Sequence, residues 1–336
     1  MTTALVAILG GLLPTLVYVL LLWWLDRYEK EPAWLLATAF FWGAVPAALL
    51  SLIAELLLDV PMSSLGGEGM AASVGAIITA PVVEESLKGI ALVVLVLAFR
   101  REFDDVLDGI VYGAMIGFGF ALTENVFAYF LPIASAEGLG VGTGNLLLRS
   151  VVFGMNHAFW TGTTGAAVGF ARQARGSAQR LVWPVIGWCL AVLFHAIHNA
   201  GAMLSEQTAC FSLGISIVVD YGGILLLLAV AWLSLRKESR WIERGLGEEV
   251  ARGTLNEADL LLLRSTRQRM RQRWSALGKG GWSAHRLVGR YFQCATELAF
   301  KKHQLRSYGD EGGRVAEIHR LRAALVELRA QAGPWL

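Results

Sequence analysis

Two adjacent glutamates and a lysine lie in the middle of an apolar segment of this chain. They are Glu84, Glu85 and Lys88, and the surrounding segment, 71–99, otherwise has the composition of a membrane span. Glu84 and Lys88 share one face of a helix, while Glu85 points about 100° away. A lysine that holds one carboxylate ionised leaves the second free to exchange protons, as general acid–base chemistry requires. The alternative interpretation is a buried ion pair that only fixes helix packing.

Composition indicates a membrane protein with a polar appendage. Of 336 residues, 55% are hydrophobic and 17% charged, and the mean hydropathy is +0.52. Residues 1–235 contain 9 Lys and Arg against 16 Asp and Glu, whereas residues 236–336 contain 20 against 11. The three cysteines are scattered singly, which favours neither a disulfide framework nor a thiolate zinc site.

The predicted fold is all-α, a polytopic membrane helix bundle of about seven transmembrane helices followed by a small helical cytoplasmic tail domain. The predicted domains are a membrane domain, 1–235, and a basic helical domain, 236–336. The predicted spans are 4–25, 34–58, 71–99, 106–131, 147–171, 181–203 and 211–235.

Lysines and arginines in the predicted short loops alternate from one side to the other. The first, third and fifth loops carry them, among them Arg27 and Arg101, and the even loops carry almost none. By the positive-inside rule, the N-terminus lies outside the cell membrane and the C-terminus is cytoplasmic.

That orientation brings the polar residues of several spans to compatible depths. Glu124, His157, His195 and Asn199 fall roughly 6 to 15 Å below the outer surface, and the glutamate pair lies somewhat deeper. Small residues at four-residue spacing, including Gly113 and Gly117, predict close helix packing beside them. Because charged groups in a bilayer need partners or water, we expect a shared, water-filled cavity.

Four short motifs follow one another on successive spans: Glu84-Glu85-x-x-Lys88, Phe120-x-x-x-Glu124, His157 within Asn-His-Ala-Phe-Trp-Thr, and His195-x-x-x-Asn199. In this ordered set the sequence resembles the PrsW family of intramembrane proteases. That family is related to the Abi group and the CAAX prenyl endopeptidases.

The resemblance implies an endopeptidase that cleaves membrane-anchored, anti-sigma-factor-like protein substrates near the extracytoplasmic side. It implies that one glutamate of the pair activates water with a histidine helping to hold it, and that His195 and Asn199 steady the oxyanion. Glu124 and His157 complete the predicted catalytic set, with Lys88, Phe120 and His198 in supporting positions.

A bound metal is the second mechanism that these residue types allow. Carboxylates and imidazoles are suitable ligands of Zn²⁺, which lowers the pKa of a bound water towards 7. The predicted ligands are Glu124, His157 and His195. No HExxH motif is present, so the sequence leaves the use of a metal open.

The sequence leaves the roles of Asp220 and of the basic tail open. Asp220 has a depth similar to that of the other polar residues, but the neighbouring Gly222 and Gly223 equally suggest a local helix break, and it is left outside the core site.

The basic tail would favour the anionic inner leaflet, at ~1 kcal/mol for each basic residue near the surface. A solvated helical face explains the tail equally well, and no motif indicates nucleic-acid binding.

Two other classes of protein compete with a protease. A proton-coupled transporter or channel could use the same cavity as a proton relay, although no internal repeat is evident. A non-catalytic scaffold, similar to the APH-1 subunit of γ-secretase, could keep the residues for packing alone.

Overall fold

A computed structural model describes residues 2–26, 28, 30–100, 102–310 and 312–336, without the side chains of 59–66 and 68. Arg27 and Arg101, which contribute to the predicted orientation, lie outside the described residues. The described secondary structure is entirely helical, which confirms the all-α prediction. The helices are α1 (Thr2–Leu25), α2 (Ala33–Trp42, Gly43–Ala47 and Ala48–Gly66), α3 (Glu68–Val74, Gly75–Thr79 and Ala80–Ala98), α4 (Val106–Ala136), α5 (Leu139–Leu147 and Leu148–Val152), α6 (Asn156–Gln173), α7 (Ser177–Met203), α8 (Phe211–Ala251), α9 (Glu257–Leu263), α10 (Thr266–Tyr308) and α11 (Arg314–Ala332).

Five of the described helices are long and apolar enough to cross a membrane: α1, α2, α4, α7 and α8. The predicted count of seven spans is therefore not confirmed. The other two predicted spans correspond to α3 and α6. Their apolar runs are interrupted by the polar residues of the candidate site, which include Glu84, Glu85 and Lys88 on α3 and His157 on α6.

The predicted fifth span, 147–171, is not one continuous helix. The chain leaves helical geometry around Phe153–Met155, and α6 begins at Asn156. Gly154 lies at this break, where a Cβ atom would overlap the carbonyl oxygen of Ser150. The consequence is that His157 lies in the first turn of a new helix instead of the middle of a long one.

The chain divides into two compact units, and the division falls within α8 between Ala231 and Trp232. The first unit comprises residues 1–25 and 31–231, and the second comprises 26–30 and 232–336. The boundary predicted from sequence, 235/236, lies nearby in the same helix.

In the first unit, α4 and α6 make the most extensive helix contact of the described residues. Glycines permit it: a Cβ at Gly109 would overlap the carbonyl of Gly165, and a Cβ at Gly117 would overlap the carbonyl of His157. Glycine and other small residues at such positions allow two helix backbones to approach closely. The close contacts of Gly109 and Gly117 therefore determine the position of α6 against α4, including that of His157 in the first turn of α6.

Several helices of this unit contain a wide, π-type turn. Such turns redirect backbone carbonyls, which in a membrane need other donors. Side chains of neighbouring helices supply these donors: Thr123 to Ala44, Asn199 to Ala76, Tyr18 to Val151 and Tyr221 to Val152.

The second unit has its own apolar core, built from the end of α8 together with α9, α10 and α11. The core includes Leu246, Leu263, Tyr291 and Leu325, all buried. A fully buried carboxylate, that of Glu249, accepts hydrogen bonds from Lys302 at 2.7 Å and from Arg322 at 2.7 and 2.9 Å. A buried charge needs this complete pairing.

Candidate active site

The glutamate pair and the lysine lie on α3 just after its wide turn, Gly75–Thr79. Pro81 falls in the first turn of the regular helix that follows, where its missing N–H is tolerated. Glu84, Glu85 and Lys88 are all buried, and Glu85 and Lys88 are 0% exposed. The segment thus places two carboxylates and an ammonium group inside the protein.

Lys88 is the centre of this arrangement. Its Nζ donates to Glu84 Oε2 at 3.0 Å and to Glu85 Oε1 at 2.9 Å, and lies 3.0 Å from His157 Nδ1. It also lies 3.6 Å from the centroid of the Phe120 ring, whose face attracts a cation. Sequence reasoning gave Lys88 a supporting position, but its three polar contacts link both glutamates to α6.

His157 connects this group to Glu124. While its Nδ1 faces Lys88, its Nε2 lies 2.9 Å from Glu124 Oε2. The same carboxylate oxygen accepts a hydrogen bond from Arg149 at 2.8 Å, and Arg149 also donates to Asn125. Both ring nitrogens of His157 are therefore engaged, and an arginine fixes the carboxylate behind it.

His195 reaches the same place from α7. Its ring stacks on Trp160 with centroids 4.0 Å apart, and its Nδ1 lies 3.3 Å from Glu85 Oε1 without the alignment of a hydrogen bond. Glu85 Oε2 accepts from Thr161 at 3.0 Å. Glu85 is thus surrounded by Lys88, His195 and Thr161.

A small cavity, with about 20 Å³ of space for water, opens beside these groups. A site of this size with several polar partners can hold about one water molecule. The glutamate pair does not line it. The lining residues are Ala121, Glu124, Asn125, Arg149, Phe153, Asn156, His157, Trp160, His195, His198 and Asn199.

Glu84, Glu85, His157 and His195, here called the Glu–His cluster, could hold a metal ion. Their donor atoms all lie within 4.8 Å of one another, and His195 Nδ1 has no hydrogen-bond partner among the described residues. Two carboxylates and two imidazoles fit zinc in donor type. Three of the four residues, Glu84, Glu85 and His157, already contact the ammonium group of Lys88. Glu124, which was predicted from the sequence to be a metal ligand, is not one of these four residues. Its carboxylate contacts Nε2 of His157.

Asn199 lies four residues after His195 on α7 and lines the cavity. Its Nδ2 donates to the carbonyl of Ala76 at 2.8 Å. Since an amide nitrogen carries two protons, one donor remains for another acceptor. Every residue of the predicted catalytic set thus lies in the Glu–His cluster or at the cavity.

Sequence reasoning missed four contributors to the site: Arg149, Thr161, Trp160 and Asn156. It also left Asp220 outside, although Asp220 is fully buried and bonded to His198 at 2.7 Å. Arg149 and Asp220 carried a usable signal, because charged residues in apolar helices are rare without a function. Thr161, Trp160 and Asn156 stand within the motif Asn-His-Ala-Phe-Trp-Thr, which was the available signal, although only His157 was given a role from it.

A helical membrane protein that buries carboxylates and imidazoles around a cavity of this kind has the groups that an intramembrane protease requires. Residues 31–233 match the model of the family described as PrsW family intramembrane metalloprotease. The match covers more than half of the chain, and the chain belongs to this family. The family predicted from the motifs is thereby confirmed.

Similar proteins named Protease PrsW occur in several bacteria. The chain is 27% identical to the one from Bacillus subtilis (strain 168) over 190 residues, which cover 56% of this chain and 79% of the relative. It is 25% identical to the one from Geobacillus kaustophilus (strain HTA426) over 214 residues, covering 63% and 81%. No solved structure matches the chain significantly.

Proposed function

We propose that this intramembrane protease is an endopeptidase that hydrolyses peptide bonds of membrane-anchored protein substrates, of the anti-sigma-factor type, near the extracytoplasmic side. The observation that carries the proposal is the cavity with room for water, bordered by Glu124, His157 and His195, directly beside the buried pair Glu84 and Glu85. Peptide hydrolysis needs a base for water, donors for the oxyanion and a proton for the leaving amine.

The hydrogen bonds distinguish the three glutamates as candidate bases. Glu85 has both oxygens engaged, by Lys88 and Thr161. Within the described part of the chain, Glu84 and Glu124 each accept hydrogen bonds only at Oε2. We therefore favour Glu84 within the pair, and Glu124 is the second candidate because it borders the cavity.

His195 and Asn199 suit the stabilisation of the oxyanion. Both line the cavity, and they lie one helical turn apart on α7. The stacking of His195 on Trp160 and the bond from Asn199 to Ala76 hold both side chains in place before the substrate arrives. Preorganised donors of this kind supply a large share of catalysis in acyl transfer.

The family description also implies a metal. In this protein the Glu–His cluster would hold it, and it would supply Lewis-acid activation of water or of the scissile carbonyl. Thr161, bonded to Glu85, and Trp160, stacked on His195, would still orient these two side chains. Lys88 would compete with the metal, because its ammonium group contacts three of the four cluster residues.

The proposed orientation has the N-terminus outside and the C-terminus in the cytoplasm. In that orientation the basic second unit faces the anionic inner leaflet. Trp274 and Trp282 of α10 are 60% and 67% exposed, and tryptophan is favoured at the membrane interface. We propose that this unit rests on the lipid surface, and we expect no nucleic-acid partner.

The decisive experiment is cleavage of a library of membrane-anchored reporters by the purified full chain in detergent. Wild type is compared with Glu84→Gln, Glu85→Gln, Glu124→Gln and His195→Ala, each with and without a zinc chelator. The matched control is Glu206→Gln, the same exchange at an exposed position outside the site.

We expect the control to cleave like wild type and the variants to lose at least about 100-fold in rate while remaining folded. Sensitivity to the chelator would favour the metal mechanism over the metal-free one. If wild type cleaves none of the reporters, the proposal fails, and proton-flux and complex-assembly assays would test a transporter or an APH-1-like scaffold.

A further inference from the structure

A second buried carboxylate meets a histidine at the cavity. Asp220, on α8, accepts hydrogen bonds at Oδ2 from His198 Nδ1 at 2.7 Å and from Asn156 Nδ2 at 2.9 Å. Asp220 is 0% exposed, and its Oδ1 has no partner among the described residues. An acid in the apolar part of a membrane helix is costly, so its presence indicates a function.

The carboxylate fixes the histidine in one tautomer. Because Oδ2 of Asp220 accepts a hydrogen bond from Nδ1 of His198, the proton of neutral His198 resides on Nδ1, and the lone pair of Nε2 faces away from the carboxylate. The polar contacts of His198 in the described structure, with Asp220 at 2.7 Å and with Asn156 at 3.2 Å, both involve Nδ1. Its Nε2 therefore remains available to take up a proton and to donate it.

His198 shares the cavity with the other site residues. Phe153 packs edge-on against its ring. Trp160 contacts both His198 and His195, with ring centroids 5.4 Å and 4.0 Å apart, respectively. The titratable groups bordering the same cavity are Glu124, Arg149, His157 and His195. A single water-sized space thus connects the two groups of polar residues.

The other cavity histidines are less suited to donate a proton. His157 has both nitrogens engaged, by Lys88 and by Glu124. His195 belongs to the Glu–His cluster and has no aligned bond at Nδ1. Of the three, His198 is the one with a carboxylate bonded at Nδ1 and with Nε2 unengaged.

We propose that His198 is a further catalytic residue, which protonates the leaving amine, and that Asp220 and Asn156 are its positioning residues. The inference rests on the proposed protease function. Neither His198 nor Asp220 acts on the water. Their task is to complete the reaction at the nitrogen of the scissile bond.

The reaction balances as follows. Water attacks the carbonyl carbon and gives one proton to the carboxylate base, which forms the tetrahedral intermediate. The base passes this proton through the cavity water to Nε2 of neutral His198, which becomes an imidazolium. The C–N bond then breaks with its electron pair remaining on nitrogen, and the imidazolium donates its Nε2 proton to that nitrogen. The products are a carboxylic acid and an amine, and the carboxylate base and neutral His198 are restored.

The test compares two scissile bonds in the same membrane-anchored reporter. One is the peptide bond, and the other is a thioester, whose thiol leaving group has a pKa of about 8.5 and departs without being protonated. The variants are His198→Gln, which keeps a polar side chain, and Asp220→Asn, which keeps the shape. Ser216→Ala, one turn earlier on the same buried face of α8, is the control.

We expect His198→Gln and Asp220→Asn to lower kcat for the peptide about 100-fold or more, and kcat for the thioester less than about 5-fold. The ratio of the two rates is independent of the fraction of folded enzyme. Equal losses on both substrates would indicate a structural role and overturn the proposal, as would no loss on either. Failure of wild type to cleave both substrates would instead overturn the protease function itself.

Discussion

The ammonium nitrogen of Lys88 lies 3.0 Å from Nδ1 of His157, so that a residue of α3 joins two glutamates of its own helix to the imidazole of α6. Without Lys88, the carboxylates of Glu84 and Glu85 would have no cation to neutralise them, and they would have to be protonated or exposed to water. Lys88 is thus as important to the site as the carboxylates are.

We expect Lys88→Met to destabilise the protein by about 3–5 kcal/mol, because it leaves buried carboxylates without their partner. The measurement is unfolding of the full chain in detergent, by heat or denaturant. Lys279→Met, the same exchange at an exposed position of α10, is the control and is expected to change stability by less than about 0.5 kcal/mol. Equal stability of the two variants would contradict a central role for Lys88.

Binding of Zn²⁺ provides a separate prediction. Lys88 occupies the space between three members of the Glu–His cluster, so its ammonium group competes with any metal for the same donors. We expect Lys88→Met to bind added Zn²⁺ more tightly than wild type in a calorimetric titration. Adding His195→Ala to Lys88→Met should abolish the gain. Tighter binding by wild type than by Lys88→Met would show that Lys88 supports the metal instead of competing with it.

The contact between α4 and α6 predicts the effect of a single methyl group. Gly117→Ala places a Cβ against the carbonyl of His157, and we expect it to cost about 1–3 kcal/mol and to reduce cleavage by displacing His157. Gly140→Ala in α5 meets no atom within 4 Å and should be neutral or stabilising by about 0.5–1 kcal/mol. The two variants are compared in unfolding and in reporter cleavage. Wild-type activity of Gly117→Ala would show that this contact does not position the histidine.

The second unit contains a histidine that should make its stability depend on pH. Burial, together with the nearby Lys237, Arg306 and Arg244, lowers the pKa of His303 to about 4, and its ring stacks on Trp241 with centroids 3.8 Å apart. Between pH 6.5 and 4 the unfolded chain therefore binds more protons at this position than the folded one. The stabilisation is fully present above pH 6.5 and is lost as the pH falls towards 4.

Hydrogen exchange in the second half of α10, corrected for the intrinsic effect of pH, measures this dependence in the full chain. We expect exchange to accelerate as the pH falls from 6.5 to 4 in wild type, and to change less in His303→Gln. Identical pH dependence in the two proteins would assign the effect to other groups.

The convergence of the main polar residues of the candidate site could be predicted from the sequence. Glu84, Glu124, His157 and His195 occur in different apolar segments, and polar groups in a membrane have to find one another, so their convergence was predictable. The helix break before Asn156 was not, because it depends on how Gly154 meets the carbonyl of Ser150.

The pairing of Asp220 with His198 was also beyond prediction. It depends on the rotation of α8 about its own axis, which follows from packing against other helices and not from the local pattern. Similarly, Lys88 could be assigned to α3 from sequence, but its contact with His157 requires the close approach of α4 and α6 that the glycines permit.

The hydrogen bond from Asn199 to the carbonyl of Ala76 has a consequence for insertions and deletions. It anchors α3 to α7 at a fixed axial height, eight residues before Glu84 in the chain. Deleting one residue between these two points would rotate Glu84, Glu85 and Lys88 by about 100° around the helix axis relative to that anchor. Homologous chains should therefore vary in length outside this interval and keep its length constant.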